Sequence, residues 1–324
     1  MMWLLLVLFA GQFETTFHAG LVALNENKLT LAETQLETAS QLQPGDARVW
    51  LALAQTYRRL QKAPAAQTAA EKAEALASDG PVLQALALYY SEAANYPKAI
   101  ELYQAAIRSN PYHESYYFDL AQLFLKQQRF AEALETLDSG RKNFDKSAQL
   151  ELAAGVAYYG LRRFPEAIDA FLRAIRLDRR VEQPYVFLGR MLDQAEDKLP
   201  AITEAFAALA KDAPDSYLSS FLYGESLMIP DPARAEALLR KSIARNDRFW
   251  ESHFELGVLL DQRGKFEEAA REMRRSIELN PAEPAPHYRL ARLWERLGKT
   301  AEARAEREAH AKLSAASSGM AVIK

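Results

Sequence analysis

An all-α, α-α solenoid is the fold this sequence predicts, on three observations: an alanine column that returns every 34 residues, a column of small residues twelve positions upstream of it, and helix-length apolar patterns on either side of short polar turns. The alanines fall at Ala32, Ala66, Ala99, Ala133, Ala167, Ala201, Ala235, Ala269 and Ala303, with seven intervals of 34 residues and one of 33. The second column holds Gly20, Ala54, Ala87, Ala121, Gly155, Gly189, Tyr223, Gly257 and Ala291. Tyr223 alone breaks the small-residue rule. Gly224 beside it points to a one-residue slip in the turn around Met228-Ile229-Pro230-Asp231-Pro232.

Two amphipathic helices and one turn fill each repeat, and the repeats run about 13–46, 47–79, 80–113, 114–147, 148–181, 182–215, 216–249, 250–283 and 284–317. The first helix carries Leu, Tyr and Trp at helical spacing. The second follows a turn such as Gln127-Gln128-Arg129 or Arg263-Gly264-Lys265. Gly or Ala lets a partner backbone approach closely, and Tyr57, Tyr90, Phe124, Tyr158 and Leu260 interlock around that contact. Gln43-Pro44-Gly45-Asp46, Asn110-Pro111 and Asn280-Pro281 end repeats, because Pro stops a helix while Asn or Asp caps the next. Ser78, Asp145, Arg179 and Ala213 stand where that proline falls elsewhere. In the second repeat Ala70 takes the slot that holds Leu36, Tyr103, Leu137 or Phe171 in others, which predicts either a soft joint or simply tighter packing. In the ninth, Arg307 takes the slot on a helix polar nearly all round, as a solvent-facing end requires.

Residues 1–12 precede the repeats and 318–324 follow them. Met1 to Ala10 is apolar throughout, the length of a secretory h-region and half of the roughly 20 residues of a membrane span. Cleavage after Ala10 would release the chain just before the first repeat, so the expectation is export to a periplasmic or extracellular site. An uncleaved membrane anchor, or a cytoplasmic chain whose first helix is capped by this run, is the alternative. The body of the chain carries no membrane-length apolar run.

Composition narrows the function classes. The 324 residues hold 40 Lys and Arg against 43 Asp and Glu, and neither half departs from neutrality by more than three charges, which argues against a nucleic-acid footprint. The absence of Cys excludes disulfides, thiolate nucleophiles and a lipidated start. Glycine-rich phosphate loops, Gly-x-Ser-x-Gly elbows and His-Glu-x-x-His runs are missing too. His253 and His287 occupy equivalent places in adjacent repeats; Glu251, Glu255 or Glu283 are imaginable co-ligands, but packed or groove-lining histidines is the preferred reading. Glu267/Glu268 and Asp193/Glu196 are read as solvated surface carboxylates. No cofactor or metal is expected, and with the repeats consuming the chain, no catalytic domain.

The set of small residue, aromatic, alanine, aromatic and terminal proline, as in Gly155, Tyr158, Ala167, Phe171 with Ala174 or Gly257, Phe266, Ala269, Pro281, resembles the tetratricopeptide repeat. The resemblance implies a right-handed superhelix in which first helices line a concave groove. Residues off the packing side of those helices are then the candidate peptide contacts: Phe17, Leu21, Leu51, Gln55, Gln84, Leu88, Phe118, Gln122, Leu152 and Val156, followed by Val186, Arg190, Ser220, Gly224, Phe254, Val258, Tyr288 and Arg292. Apolar side chains would enter pockets while Gln55, Gln84 and Gln122 bond a peptide backbone. Several of the apolar ones are equally expected to pack on the next repeat. Members that clamp a terminal carboxylate present Lys and Asn on successive first helices, where this chain has Leu51/Gln55 and Gln84/Leu88, which argues against recognition of chaperone tails. The function expected is a non-enzymatic scaffold for a protein or peptide partner. The alternatives are a structural subunit of an envelope or secretion assembly, self-associating through the first repeat, and a regulatory subunit of a separately encoded enzyme.

Overall fold

The computed structural model describes the backbone of residues 2–321 and the side chains of residues 11–316. Eighteen α-helices and two short 3-10 turns make up the described residues, with no strand among them. The chain divides into two compact bodies, residues 1–162 and 163–324. The first holds α1 (Met2–Asn25), α2 (Leu29–Leu42), α3 (Ala47–Arg59), α4 (Ala63–Leu76), α5 (Gly80–Glu92), α6 (Tyr96–Ser109), α7 (Glu114–Lys126), α8 (Phe130–Arg141) and α9 (Ala148–Gly160). The second holds α10 (Phe164–Leu177), α11 (Gln183–Gly189), α12 (Leu199–Asp212), α13 (Tyr217–Ser226), α14 (Pro232–Arg245), α15 (Trp250–Gln262), α16 (Phe266–Leu279), α17 (Pro284–Arg296) and α18 (Thr300–Ala321). Odd-numbered helices are the first helices of the repeats. Within each body they pack on their own second helices and touch the next first helix, as α3 touches α5 and α15 touches α17.

Side chains at the predicted export segment lie outside the described residues up to Ala10. Beyond it, Phe13 and Phe17 are buried and stacked with ring centres 5.7 Å apart, tying α1 into the first repeat. No helix of the described residues is long and apolar enough to cross a membrane.

The two columns do the packing. Eight of the nine column alanines are buried, and a Cβ added at Gly20 would sit 2.7 Å from the Leu36 side chain, so only glycine lets α1 and α2 approach this closely. Behind them Leu36, Leu137, Phe171, Leu239 and Met273 are fully buried, each contributing roughly 2–3 kcal/mol of apolar transfer. First helices are capped where the repeat ends predict it: Asp46, Asp79 and Ser147 accept from Arg48, Val82 and Leu150 N–H groups.

The sixth and seventh repeats depart from this pattern. Ala201 is exposed, while Ile202 and Phe206 are fully buried, so α12 is displaced by one residue relative to its column. The displacement begins where α11 stops at Gly189 and the chain continues through 3-10 turns at Leu192–Gln194 and Glu196–Lys198, burying Met191 and Ala195. It persists in α13, where Gly224 rather than Tyr223 meets the second helix: a Cβ there would lie 3.2 Å from Leu238 and Leu239. By Ala235 the register has returned.

The return has a backbone cause. Five positions ahead of each column alanine the turn holds a residue in the left-handed region: Asn27, Gln61, Ala94, Gln128, Arg162, Glu196, Gly264 and Gly298, with φ from 43° to 73°. At the regular turns the following N–H bonds back across the helix end, as Lys62 N–H to the Tyr57 carbonyl (2.8 Å) and Lys265 N–H to that of Leu260 (2.9 Å), which is the Schellman closure. The exception is the seventh repeat, where the position ahead of Ala235 is Pro230, whose ring holds φ near −65°. That closure is barred, Asp231 N–H bonds to the Leu227 carbonyl instead, α13 ends at Ser226, and Ile229 stands 85% exposed.

Candidate protein-binding surface

The predicted groove residues separate into three groups. Phe17, Leu51 and Val258 are core residues, 7%, 8% and 5% exposed, and Ser220 and Gly224 are buried as well; the reading that offered them to a ligand is corrected, because their positions rotate into the seam with the neighbouring helix. Gln84 does not hold its amide ready for a peptide: Nε2 donates to Ser115 Oγ (2.8 Å) and Asp119 Oδ2 (2.6 Å), bracing α5 against α7. Leu21, Gln55, Phe118, Leu152, Val156 and Val186 are half-buried, and Leu88, Gln122, Arg190, Tyr288 and Arg292 are exposed. Tyr288 and Arg292 line one small depression of about 230 Å³ on α17, the guanidinium 5.9 Å from the ring centre.

A larger pocket of about 380 Å³ opens among the first helices of the carboxy-terminal body. Its apolar wall includes Leu199, Met228 and Ile229 from the displaced segment, with Phe254 and Val258 of α15 brought in from the predicted set. Asp193, Glu225, Glu255 and Arg289 supply its charge. Asp193, expected on a solvated helix, sits instead on the first 3-10 turn. Burial pushes the Glu225 carboxyl well above the ordinary carboxylate range, with Glu255, Asp193 and Glu251 adding repulsion. Burial likewise raises Glu255 to about 7, against which the Arg289 guanidinium pulls downward. Glu251, on the first turn of α15, is raised by burial as well, and one of its carboxyl oxygens is buried without a hydrogen bond. The register shift therefore creates this site. Its sequence signal was Tyr223 in a column of small residues.

In the amino-terminal body a pocket of about 580 Å³ lies among α3, α4, α5 and α6, floored by Ala63, Ala66 and Ala70 of α4. Ala70, which stands where other repeats carry a bulky side chain, lies on its floor. Every carboxylate on its rim is engaged: Glu74 receives Lys98 Nζ (2.5 Å) and the Tyr90 hydroxyl (3.3 Å), and Glu71 accepts from Gln67 (3.0 Å). Arg58 bonds the Tyr89 carbonyl (3.0 Å), pairs with Glu92 and lies over the Tyr89 ring.

The two equivalent histidines are structural clasps. His253 Nδ1 meets Glu272 at 2.7 Å and His287 Nδ1 meets Glu306 at 2.6 Å, each tying a first helix to its own second helix. Glu251, Glu255 and Glu283 do not gather around them; among the described residues no three His, Asp or Glu side chains form a metal-ligand set. Elsewhere in this body the buried Glu236 accepts from Arg240, Arg263 and Lys265; burial pushes its carboxyl up, and Arg240 and Lys265 outweigh that and hold it below the usual range.

Comparison with known proteins places these features. The tetratricopeptide repeat family model matches residues 17–81, 85–148, 118–182, 152–217, 231–284 and 259–318; residues 218–230, outside those segments, carry α13 and the Pro230 turn. The chain is 26% identical over 160 residues to intraflagellar transport protein 70A of Xenopus tropicalis, a match spanning 48% of this chain and only 23% of that protein. Among solved structures it is similar in fold to the C-terminal part of a tetratricopeptide repeat-containing protein of Cytophaga hutchinsonii (TM-score 0.55, 15% identity, 85% of this chain and 99% of that one). A likeness to yeast Tom70 has a TM-score of 0.47 at 14% identity, covering 91% of this chain and 83% of that one.

Proposed function

Because the chain belongs to the tetratricopeptide repeat family, whose members act as protein-interaction scaffolds, we propose that it grips a segment of a partner protein on its first helices, chiefly at the pocket of the carboxy-terminal body. The observation that carries this reading is the pocket itself, about 380 Å³ formed by α13, α15, α17 and the turns beside them, with Phe254 half-buried on its wall and Ile229 on its rim. Concave sites with an apolar lining and a few placed charges are where side chains of a bound segment find both area and orientation. Phe118, Leu152 and Val156, half-buried on first helices of the amino-terminal body, offer a stretch of binding surface there. The proposed activity is binding, with no bond made or broken.

A photo-reactive phenylalanine analogue placed at Phe254, at Phe118 or at the exposed Arg271 of α16 in the full chain tests this. Cross-links to a partner protein are expected from Phe254 and Phe118. Capture from Arg271 alone overturns the reading.

A further inference from the structure

Two carboxyl groups in the carboxy-terminal pocket are left without a partner of their own. Glu225, near the end of α13, and Glu255, on α15, line the same cavity and repel each other, and neither makes a hydrogen bond or ion pair with any described residue. Asp193 adds a third negative charge, and the one basic side chain in the described lining, Arg289, makes no ion pair with any of the three; Arg190 acts on the neighbouring Glu251. The contrast with Glu236, held by three cations in the same body, shows that the fold can neutralise a buried acid when the acid serves packing. Both carboxyls are half-buried, and a carboxyl partly withdrawn from water without a partner carries a cost; unneutralised groups of this kind mark places where charge arrives from outside.

The surroundings narrow what arrives. A metal ion does not fit, since the carboxylates do not converge as a ligand set. The walls set apolar side chains beside the acids, which suits an alkyl stem carrying a cationic head: Leu199, Met228 and Phe254 line the cavity with them, and Ile229 is exposed on its rim.

We propose that Glu225 and Glu255 form a receptor for the lysine or arginine side chain of a partner segment, with an apolar neighbour of that residue seated on Ile229 and Phe254. The proposal rests on the reading of the first-helix face as the binding surface and names the partner's chemistry there. The aliphatic stem covers the apolar wall and the cationic head donates charge-assisted hydrogen bonds to both carboxylates. Because burial raises both carboxyls in the free protein, seating the cation expels protons.

The test is selection of a random peptide library on the full chain, followed by anisotropy of labelled enriched peptides on the parent, on E225Q/E255Q and on F254D, with thermal melting of each. Enriched peptides should share Lys or Arg next to Leu, Ile, Met or Phe and lose roughly tenfold to a hundredfold in affinity on E225Q/E255Q. The Tm of E225Q/E255Q should hold or rise, because the exchange removes two desolvated acids; a merely structural role lowers it. Peptides that depend on Phe254 but share no basic residue, or that bind E225Q/E255Q as well as the parent, overturn the inference and leave the binding surface standing. No enrichment, or enrichment indifferent to Phe254→Asp, overturns both.

Discussion

The pocket beside α4 and the pocket beside α13 depart from the same repeat in opposite ways. Around α4 the register is intact and only side-chain volume is missing, Ala70 replacing a leucine or an aromatic. The helices there stay where the repeat puts them, so Glu74 still meets Lys98 and Tyr90 and the rim remains neutralised from within. Around α13 the backbone itself has moved by one residue. Glu225 and Glu255 consequently face a cavity where the regular repeat supplies no cation. Deleting volume leaves a self-sufficient hollow; shifting register leaves unmet charge.

The sharpest way to break this comparison is to test the shift. Ile202→Asp should cost about 4 kcal/mol and unfold the carboxy-terminal body under mild denaturant, since it buries an unpaired charge, whereas Ala201→Asp should stay within about 0.5 kcal/mol. Urea melts read both. Equal losses would mean the alanine column holds in the sixth repeat after all.

Acidity separates the regions next. Glu255, faced by Asp193, Glu225 and Arg289 and with Glu251 nearby, keeps its proton up to about 7, whereas the unfolded chain loses it near 4.5. Between those values the folded body binds more protons, so stability falls as pH rises across that window, a Tm decrease of about 2–4 °C per kcal/mol lost. Glu236 works in reverse: its lowered value adds stability above the ordinary carboxylate range that disappears as pH falls below it. Melts of the parent and E255Q from pH 5 to 8 should differ in slope, with E255Q flatter.

Filling the amino-terminal hollow is a smaller effect. Ala70→Leu restores the bulky slot and should raise stability by about 1 kcal/mol. A fall in Tm would mean the alanine is packed tightly and nothing is missing. Smallest of all, Glu74→Gln should change stability by no more than about 0.5 kcal/mol, because Lys98 and Tyr90 lie partly in water and surface pairs contribute little.

These contrasts show which parts of the molecule could be read in advance. The helix pairs were legible because eight column alanines report burial directly. The shift was not, since an extra residue before Ile202 and a shortened turn at Pro230 cancel and the period returns to 34; Tyr223 and Gly224 were its only trace. Phe254 was found by its place on a first helix, while Phe17, Leu51 and Val258, chosen by the same spacing, are buried in the packing. Glu225 and Glu255 look like any acids on a helix, and only the moved backbone gives them a shared cavity.

The left-handed turn that Pro230 forbids also bears on the order in which the body assembles. Stacked repeats gain structure from their neighbours, and a Schellman closure lets a helix pair begin to form from contacts close in sequence. Repeats eight and nine possess it with glycine, at Gly264 and Gly298, and so can nucleate locally. The seventh lacks it, and the expected consequence is that α13 takes its order from surfaces already formed and that amides around Glu225 gain protection last when refolding is followed by pulsed hydrogen exchange.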